Sequence, residues 1–137
     1  MQQGIIRWTE AEQFVAIGPS GHALVIDADR TRNSGPGPME LPLLGLGACT
    51  GSDVISILRK KRQQVTALEI KVEGERAADP PMVWTQLAVH YRIVGKGIDP
   101  RAVEHAIELS RTKYCSVSAT LSKTATIQWS HSVEEAT

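Results

Sequence analysis

Short segments of alternating hydrophobic and polar residues open the chain. Three of them have strand length: GIIRW at 4–8, QFVAI at 13–17 and HALVIDA at 22–28. The run GPSG at 18–21 separates the last two and is a strong turn signal. This pattern predicts a three-stranded antiparallel meander, followed by a polar, Gly/Pro-rich loop, DRTRNSGPGP, at 29–38.

A helical pattern then runs from Met39 to about Gln63. Its first half, LPLLGLGAC, is apolar on every side, which on a helix predicts burial on every side, and its second half is amphipathic. The basic run at 59–62 falls in the last turn, where cations suit the negative end of the helix dipole, so we interpret it as a helix terminus. Because one small sheet cannot cover such a helix, we expect a second subunit to cover it.

Two long alternating stretches, at 65–76 and 83–94, predict a hairpin with one face in water. Asp99 and Pro100 have the character of an N-cap and a first-turn residue, so they predict the start of a second helix. The segment ATIQWS at 125–130 predicts a last strand.

The elements together predict an α+β fold in the order βββ-α-ββ-α-β. The short segment SVSATLSK at 116–123, after Cys115, also has helical character. The sequence contains no repeats and no linker long enough to divide it. A chain of 137 residues fits one domain, so we expect residues 1–137 to form a single domain.

Charge and composition exclude several partners. Acidic and basic side chains balance at 15 each, and aromatic residues make up only 4%, so neither nucleic acid nor an anionic membrane is expected as a partner. No apolar run approaches the ~20 residues of a membrane span, and the N-terminus lacks the pattern of a signal peptide. We therefore expect a cytoplasmic protein.

The glycines at Gly45, Gly47 and Gly51 do not form a dinucleotide-binding fingerprint, because their spacing differs and prolines prevent a strand from preceding them. Small residues on a buried helix are more typical of close helix packing. The sequence also has no CxxC or HExxH motif and no close group of histidine and cysteine, so no metal site and no bound cofactor are expected.

The chain has two cysteines, Cys49 and Cys115. Cys49 lies in the apolar half of the long helix, where a thiol is either an inert core residue or a reactive group. It lies too deep in the helix to gain from the helix N-terminus, so a reactive Cys49 needs a cation from elsewhere. In a reducing compartment, a disulfide between the two cysteines is expected to be transient and catalytic.

Two segments carry a family resemblance. SGPGPMELPLLGLGACTGSDVISILRKKRQ at 34–63, followed by RAVEHAIELSRTKYCSVSATLSK at 101–123, resembles the OsmC/Ohr family of cysteine-dependent hydroperoxide reductases, most of all its YhfA-like branch. The similarity covers nearly the whole chain, because the predicted strand order also matches. It implies an OsmC-like fold with a long buried central helix, in an intertwined homodimer whose sites lie at the subunit interface.

The resemblance also implies roles for individual residues. Cys49 corresponds to the peroxidatic cysteine, which an organic hydroperoxide oxidises to a sulfenic acid, and Cys115 corresponds to the resolving cysteine, which condenses with it to a disulfide. An external dithiol or lipoyl reductant then restores both thiols. The activating cation is an arginine of the loop before the helix: Arg30 lies closest to the expected offset, with Arg32 as substitute.

The chain departs from the family pattern at the position of a carboxylate, where it has Met39, with Glu40 one residue later. Helical geometry places Glu40 on the face opposite Cys49, so it either serves the partner's site or is a first-turn carboxylate favoured by the helix dipole. The first role predicts a composite site, with Cys49 and Cys115 from one chain and the arginine and Glu40 from the other. The alternative to a peroxidase is a non-catalytic module that binds an apolar ligand at the dimer interface.

Overall fold

The computed structural model describes residues 1–137, which form two compact units, Met1–Leu41 and Pro42–Thr137. The first unit begins with the predicted meander, an antiparallel sheet in the order β1-β2-β3. Its strands are β1 Ile5–Glu10, β2 Gln13–Ile17 and β3 Ala23–Asp27. A loop at 28–37 and a 3-10 turn at Pro38–Glu40 follow.

One face of this sheet is apolar throughout. The register aligns two rows of residues across the three strands, Ile6, Ala16 and Leu24 in the first and Trp8, Phe14 and Ile26 in the second. Ile6 and Trp8 are nevertheless 62% and 67% exposed. A soluble protein rarely leaves a contiguous surface of this kind without a partner.

The long helix α1 spans Leu41–Lys60. It was predicted from Met39 to about Gln63; the regular helix starts slightly later because the 3-10 turn occupies the first residues. Pro42 therefore falls in the first turn of α1, where its missing N–H removes no helical hydrogen bond. The basic residues Arg59 and Lys60 lie in the last turn, as the sequence predicted.

The second unit contains a mixed sheet in the order β4-β5-β6, in which β4 and β5 form the predicted hairpin and β6 runs parallel to β5. The last strand was predicted to end at residue 130, but it continues because residues 131–135 keep pairing with β5. The elements after α1 are β4 Gln64–Arg76, β5 Trp84–Lys96, α2 Pro100–Leu109, a π-helical turn Ser110–Tyr114, α3 Ser116–Leu121 and β6 Thr126–Glu135.

Helix α1 packs one side against this sheet. The core comprises Leu46, Val54 and Leu58 from α1, Val89, Tyr91 and Ile93 from β5, and Val103 and Ala106 from α2. The other side of α1 is not covered by this chain: Leu44 is 61% exposed and Ala48 is exposed. The apolar pattern predicted that α1 is buried on every side. One chain alone does not bury it in this way.

The glycines of α1 allow close packing of the helix, as their small size predicted. The element that packs against them is a strand. A Cβ atom on Gly47 would lie 3.3 Å from Val72 Cγ2, and one on Gly51 would lie 2.5 Å from Ile70 Cδ1. Both neighbours belong to β4. The glycines therefore set how closely the helix approaches the sheet.

The segment Pro38–Lys60 is long and apolar enough to span a membrane, judged by length and composition alone. The same properties suit a core helix of a soluble protein. Because α1 contributes Leu46, Val54 and Leu58 to the core, all fully buried, we interpret it as such a core helix.

Candidate active site

The structure brings the two cysteines together. Cys49 is half-buried on α1, whereas Cys115 is only 4% exposed, and both thiols are free. Burial raises the pKa of the Cys115 thiol; hydrogen bonds from Ser118 oppose this, and the hydrogen bond and charge of Cys49 raise the pKa further. Cys49 is thus near enough to Cys115 to affect its pKa, and Cys115 retains its proton more strongly than a free thiol.

The position of Cys115 follows from how α2 ends. Asp99 caps α2 by accepting a hydrogen bond from Arg101 N, and at the other end the helix widens into the π-helical turn. Cys115 N closes this turn by donating to Ser110 O at 2.8 Å. Cys115 then caps α3, with its Sγ accepting from Ser118 N at 3.4 Å. The thiol is thus fixed between two helical segments.

A buried network of hydroxyl groups includes Thr50, which follows Cys49, and Ser110, which lies five residues before Cys115. Thr50 Oγ1 is 2.5 Å from Tyr91 Oη and 2.8 Å from Ser110 Oγ, and Ser110 Oγ donates to Asp53 Oδ2 at 2.9 Å. Thr50, Tyr91 and Ser110 are completely buried. Burial raises the pKa of Tyr91 to about 12, opposed by its hydrogen bond with Thr50, so its hydroxyl is protonated at neutral pH.

Sequence reasoning did not identify this network. Its members come from α1, β5 and the π-helical turn, so their contact depends on the tertiary fold. The available signal was a polar residue, Thr50, within the most apolar part of the long helix, since a buried hydroxyl requires a hydrogen-bond partner.

A cleft of about 470 Å³ adjoins this network through Asp53. Its lining combines hydroxyl, apolar and basic side chains: Ser52, Asp53, Ser56, Ile57, Lys60, Lys61, Leu109 and Tyr114. Ser52, Asp53 and Ser56 follow Cys49 by three, four and seven positions in α1. These spacings place them on the same side of the helix as Cys49.

In the first unit, Asp27 organises the loop that carries the two arginines. Its carboxylate is fully buried and accepts hydrogen bonds from Ser34 Oγ at 2.6 Å, Ser34 N at 3.1 Å and Asp29 N at 2.9 Å. The Ser34 hydroxyl is the main cause that holds the pKa of Asp27 below its ordinary value, against the opposing effect of desolvation; backbone hydrogen bonds and Arg32 contribute further. The loop therefore closes around a charged carboxylate.

Arg30 forms an ion pair with Glu40, with Nη1 3.0 Å from Oε2. The same guanidinium donates to Asn33 Oδ1 at 3.1 Å and to the carbonyl oxygens of Gly35 and Asp27. Glu40 in turn accepts from Gly37 N, as in a capping box. In this chain Glu40 is thus a first-turn carboxylate and also the partner of Arg30.

Arg32 has a different environment. It lies 2.8 Å from Glu10 Oε1, donates to Gln13 Oε1 at 2.8 Å, and approaches the Asp27 carboxylate at 3.8 Å. The hydrogen bond with Glu10 is the main cause that raises the pKa of Arg32 and lowers that of Glu10. Arg32 therefore ties the loop to the sheet, while Arg30 ties it to the start of the long helix.

The sequence-predicted residues thus fall into two groups, Cys49 with Cys115 in the second unit and Arg30 with Glu40 in the first, with Arg32 holding the loop. No group of three or more His, Cys, Asp or Glu side chains is arranged to hold a metal ion. The chemistry available in the second unit is that of a pair of thiols with unequal exposure.

Comparison with known proteins shows the family of this chain. The family model described as OsmC-like protein matches residues 31–130. Protein YhfA of Escherichia coli (strain K12) is 36% identical over 131 residues, covering 96% of this chain and 97% of that protein.

Solved structures share the fold. A hypothetical protein from Aquifex aeolicus VF5 is similar with a TM-score of 0.89 and 28% identity, over 100% of this chain and 98% of that one. An organic hydroperoxide resistance protein OsmC from Legionella pneumophila has a TM-score of 0.69 at 16% identity, over 96% of each chain. The match of the family model over most of the chain and the 36% identity to YhfA show that this chain belongs to the OsmC-like protein family.

Proposed function

We propose that the protein is a thiol-dependent peroxidase that reduces organic hydroperoxides. The observation that carries the proposal is that a half-buried Cys49 and a buried Cys115 belong to the same core and that Cys49 contributes to the raised pKa of Cys115. A peroxidatic thiol must be reached by its substrate, whereas a resolving thiol must only reach the first sulfur. The difference in exposure supports the first role for Cys49 and the second for Cys115.

The first step is attack of the Cys49 thiolate on the outer oxygen of the hydroperoxide. A sulfur–oxygen bond forms as the oxygen–oxygen bond breaks, and the leaving alkoxide takes a proton and departs as the alcohol. Cys49 is left as a sulfenic acid, oxidised by two electrons. Because Cys115 retains its proton more strongly than a free thiol, it does not compete for the peroxide.

In the second step the Cys115 sulfur attacks the Cys49 sulfenic acid. A disulfide forms, and the hydroxyl of the sulfenic acid leaves as water with the proton of Cys115. An external dithiol of the lipoyl or dithiothreitol type then reduces this disulfide by exchange and is itself oxidised to a disulfide. One turnover therefore converts one hydroperoxide and one dithiol to an alcohol, water and a disulfide.

Apolar surroundings support an organic substrate. Leu44 is exposed on α1, and Leu43 is partly buried against the core, so both can contribute to an apolar approach to Cys49. Leu46, in the same apolar half of the helix, is fully buried and belongs to the core instead. The Legionella pneumophila relative, named as an organic hydroperoxide resistance protein, supports the same substrate class.

The proposal includes a homodimer in the cytoplasm. The exposed apolar surfaces around Ile6 and Trp8 on the first sheet, and around Leu44 on α1, are of the kind that a second copy would cover. In such a dimer, Arg30 with its Glu40 partner would act on Cys49 of the other subunit, where the guanidinium would stabilise the thiolate and the departing oxygen.

The test is steady-state turnover with a dithiol. The reduced protein is mixed with cumene hydroperoxide and either dithiothreitol or dihydrolipoamide, and peroxide consumption is followed beside a parallel reaction with hydrogen peroxide. We expect faster consumption of cumene hydroperoxide, complete loss in Cys49→Ser, and full retention in a control variant, Ser122→Ala. Equal rates for Cys49→Ser and the parent would refute the proposed function.

A further inference from the structure

The hydroxyl network next to the cysteines has a defined direction. Each hydroxyl carries one proton, and the Ser110 hydroxyl donates its proton to Asp53. Thr50 must therefore be the donor in its contact with Ser110, and Tyr91 the donor in its contact with Thr50. Tyr91 donates to Thr50, Thr50 donates to Ser110, and Ser110 donates to the Asp53 carboxylate. The direction of each hydrogen bond in the network is therefore determined.

The hydroxyl network connects the two segments that carry the cysteines. Thr50 is the residue that follows Cys49 on α1, and its hydroxyl holds the side chain of Ser110 at 2.8 Å. The carbonyl oxygen of the same Ser110 accepts the hydrogen bond of Cys115 N, also at 2.8 Å. Cys49 and Cys115 are thereby linked through two residues, Thr50 and Ser110, and two hydrogen bonds of 2.8 Å.

We propose that Thr50 and Ser110 are positioning residues that hold Cys49 and Cys115 in the geometry required for a disulfide. A disulfide forms only over a narrow range of separations, with Cβ atoms about 3.5–4.5 Å apart. The π-helical turn before Cys115 is joined to α1 through the Ser110 hydroxyl, which contacts Thr50 and donates to Asp53, so the position of Cys115 relative to α1 depends on these contacts. The inference rests on the proposed function in taking the Cys49–Cys115 disulfide as an intermediate.

The test measures the effective concentration of the two thiols with respect to each other, without any peroxide. The protein is equilibrated with mixtures of reduced and oxidised glutathione, where forming the disulfide consumes one oxidised glutathione and releases two reduced ones. The fraction of Cys49–Cys115 disulfide is read from intact mass after acid quenching and alkylation. Thr50→Val removes the hydroxyl at nearly constant shape.

We expect Thr50→Val and Ser110→Ala to lower the effective concentration roughly tenfold or more, since misplacement by about 1 Å can cost a reaction a factor of a hundred. Thr50→Ser, which keeps the hydroxyl, should restore the value of the parent. Tyr91→Phe keeps the contact between Thr50 and Ser110, so it should retain the parent value, as should the control Thr66→Val on the exposed part of β4. Ser110→Ala leaves the Thr50–Tyr91 contact intact and supplies the test if Thr50→Val fails to fold.

Parent-like values for both Thr50→Val and Ser110→Ala would overturn the inference. An equal loss in Tyr91→Phe would also overturn it, because the effect would then follow from disturbance of the core and not from the link between the cysteine segments. Failure of the peroxide assay refutes the proposed function and leaves this equilibrium unaffected. The two proposals can therefore fail independently.

Discussion

Arg30 and Glu40 form an ion pair, with Nη1 3.0 Å from Oε2, in the segment that leads into the long helix. The family resemblance expects a carboxylate one residue earlier, where this chain has Met39. The displaced carboxylate nevertheless reaches the arginine, because the 3-10 turn Pro38–Glu40 and the contact from Gly37 N orient Glu40 towards the loop. The substitution at position 39 therefore does not deprive Arg30 of an acidic partner.

If Arg30 activates Cys49, Arg30→Ala should lower the rate of cumene hydroperoxide reduction about a hundredfold, comparable with the loss of one oxyanion-stabilising donor. The ion pair with Glu40 contributes under about 1 kcal/mol, because both side chains are about half exposed (50% and 52%). Arg30 also donates to Asn33 and to the carbonyl oxygens of Asp27 and Gly35, so the rate is compared with the free energy of unfolding. The rates and the free energies of unfolding of the parent, Arg30→Ala and the exposed control Arg101→Ala provide the comparison. A parent-like rate for Arg30→Ala would exclude this arginine as the activating cation.

The buried carboxylate of Asp27 should make the arginine loop sensitive to acid. Its pKa is lowered, chiefly by Ser34, so its contribution to stability is present at neutral pH and is lost as the pH falls below the ordinary value of 3.8. In Asp27→Asn, hydrogen exchange of residues 29–37 should already be fast at neutral pH and change less on acidification. Identical exchange profiles in the parent and Asp27→Asn would contradict this role.

The raised pKa of Cys115 predicts an order of thiol modification. Iodoacetamide at neutral pH should label Cys49 before Cys115, as read by peptide mass mapping, because Cys115 is buried and protonated. Removing Cys49 removes one cause of the raised pKa. Labelling of Cys115 in Cys49→Ser should therefore begin at lower pH than in the parent, and an unchanged pH profile would show that the two thiols do not interact.

Tyr91 should make the protein sensitive to alkali. Its pKa is raised from 10.0 to about 12, so the folded state keeps a proton that the unfolded state releases, and stability falls as the pH rises through this range. A shift of two units corresponds to no more than about 2 to 3 kcal/mol. Denaturant unfolding at pH values below and above this range should show a smaller alkaline loss in Tyr91→Phe than in the exposed control Tyr114→Phe. Equal losses in both variants would contradict the assignment.

A composite site across a dimer predicts complementation. A Cys49→Ser protein has no nucleophile, and an Arg30→Ala, Arg32→Ala protein has no candidate cation, so each alone should be inactive. If the arginine acts across the interface, a mixed dimer regains one intact site and activity returns. Absence of recovery in mixed dimers verified by differential tagging would show that each chain supplies its own cation or that neither arginine is used.

Dilution below the dimer dissociation constant should abolish activity of the parent.

The alternating patterns predicted the strands, the hairpin and the cap at Asp99 well, because these features depend on local sequence. The sequence pattern predicted that the last strand ends at residue 130. Residues 131–135 continue the strand by pairing with β5, and this pairing depends on the tertiary fold. The π-helical turn before Cys115 and the contact of Thr50 with Ser110 also depend on tertiary packing. The apolar pattern of α1 predicted full burial, yet Leu44 is 61% exposed. An apolar pattern indicates that a surface is buried in the assembled protein, but it does not indicate which chain buries it.

The central claim, that Cys49 is oxidised by peroxide and resolved by Cys115, is tested most directly by the products of a single turnover. One equivalent of cumene hydroperoxide is added to the reduced parent and to Cys115→Ser in the absence of reductant, and the proteins are analysed by intact mass and by dimedone trapping. The account predicts a Cys49–Cys115 disulfide in the parent and a dimedone-trapped sulfenic acid on Cys49 in Cys115→Ser. An unmodified Cys49 in both proteins, with the peroxide unconsumed, would contradict it.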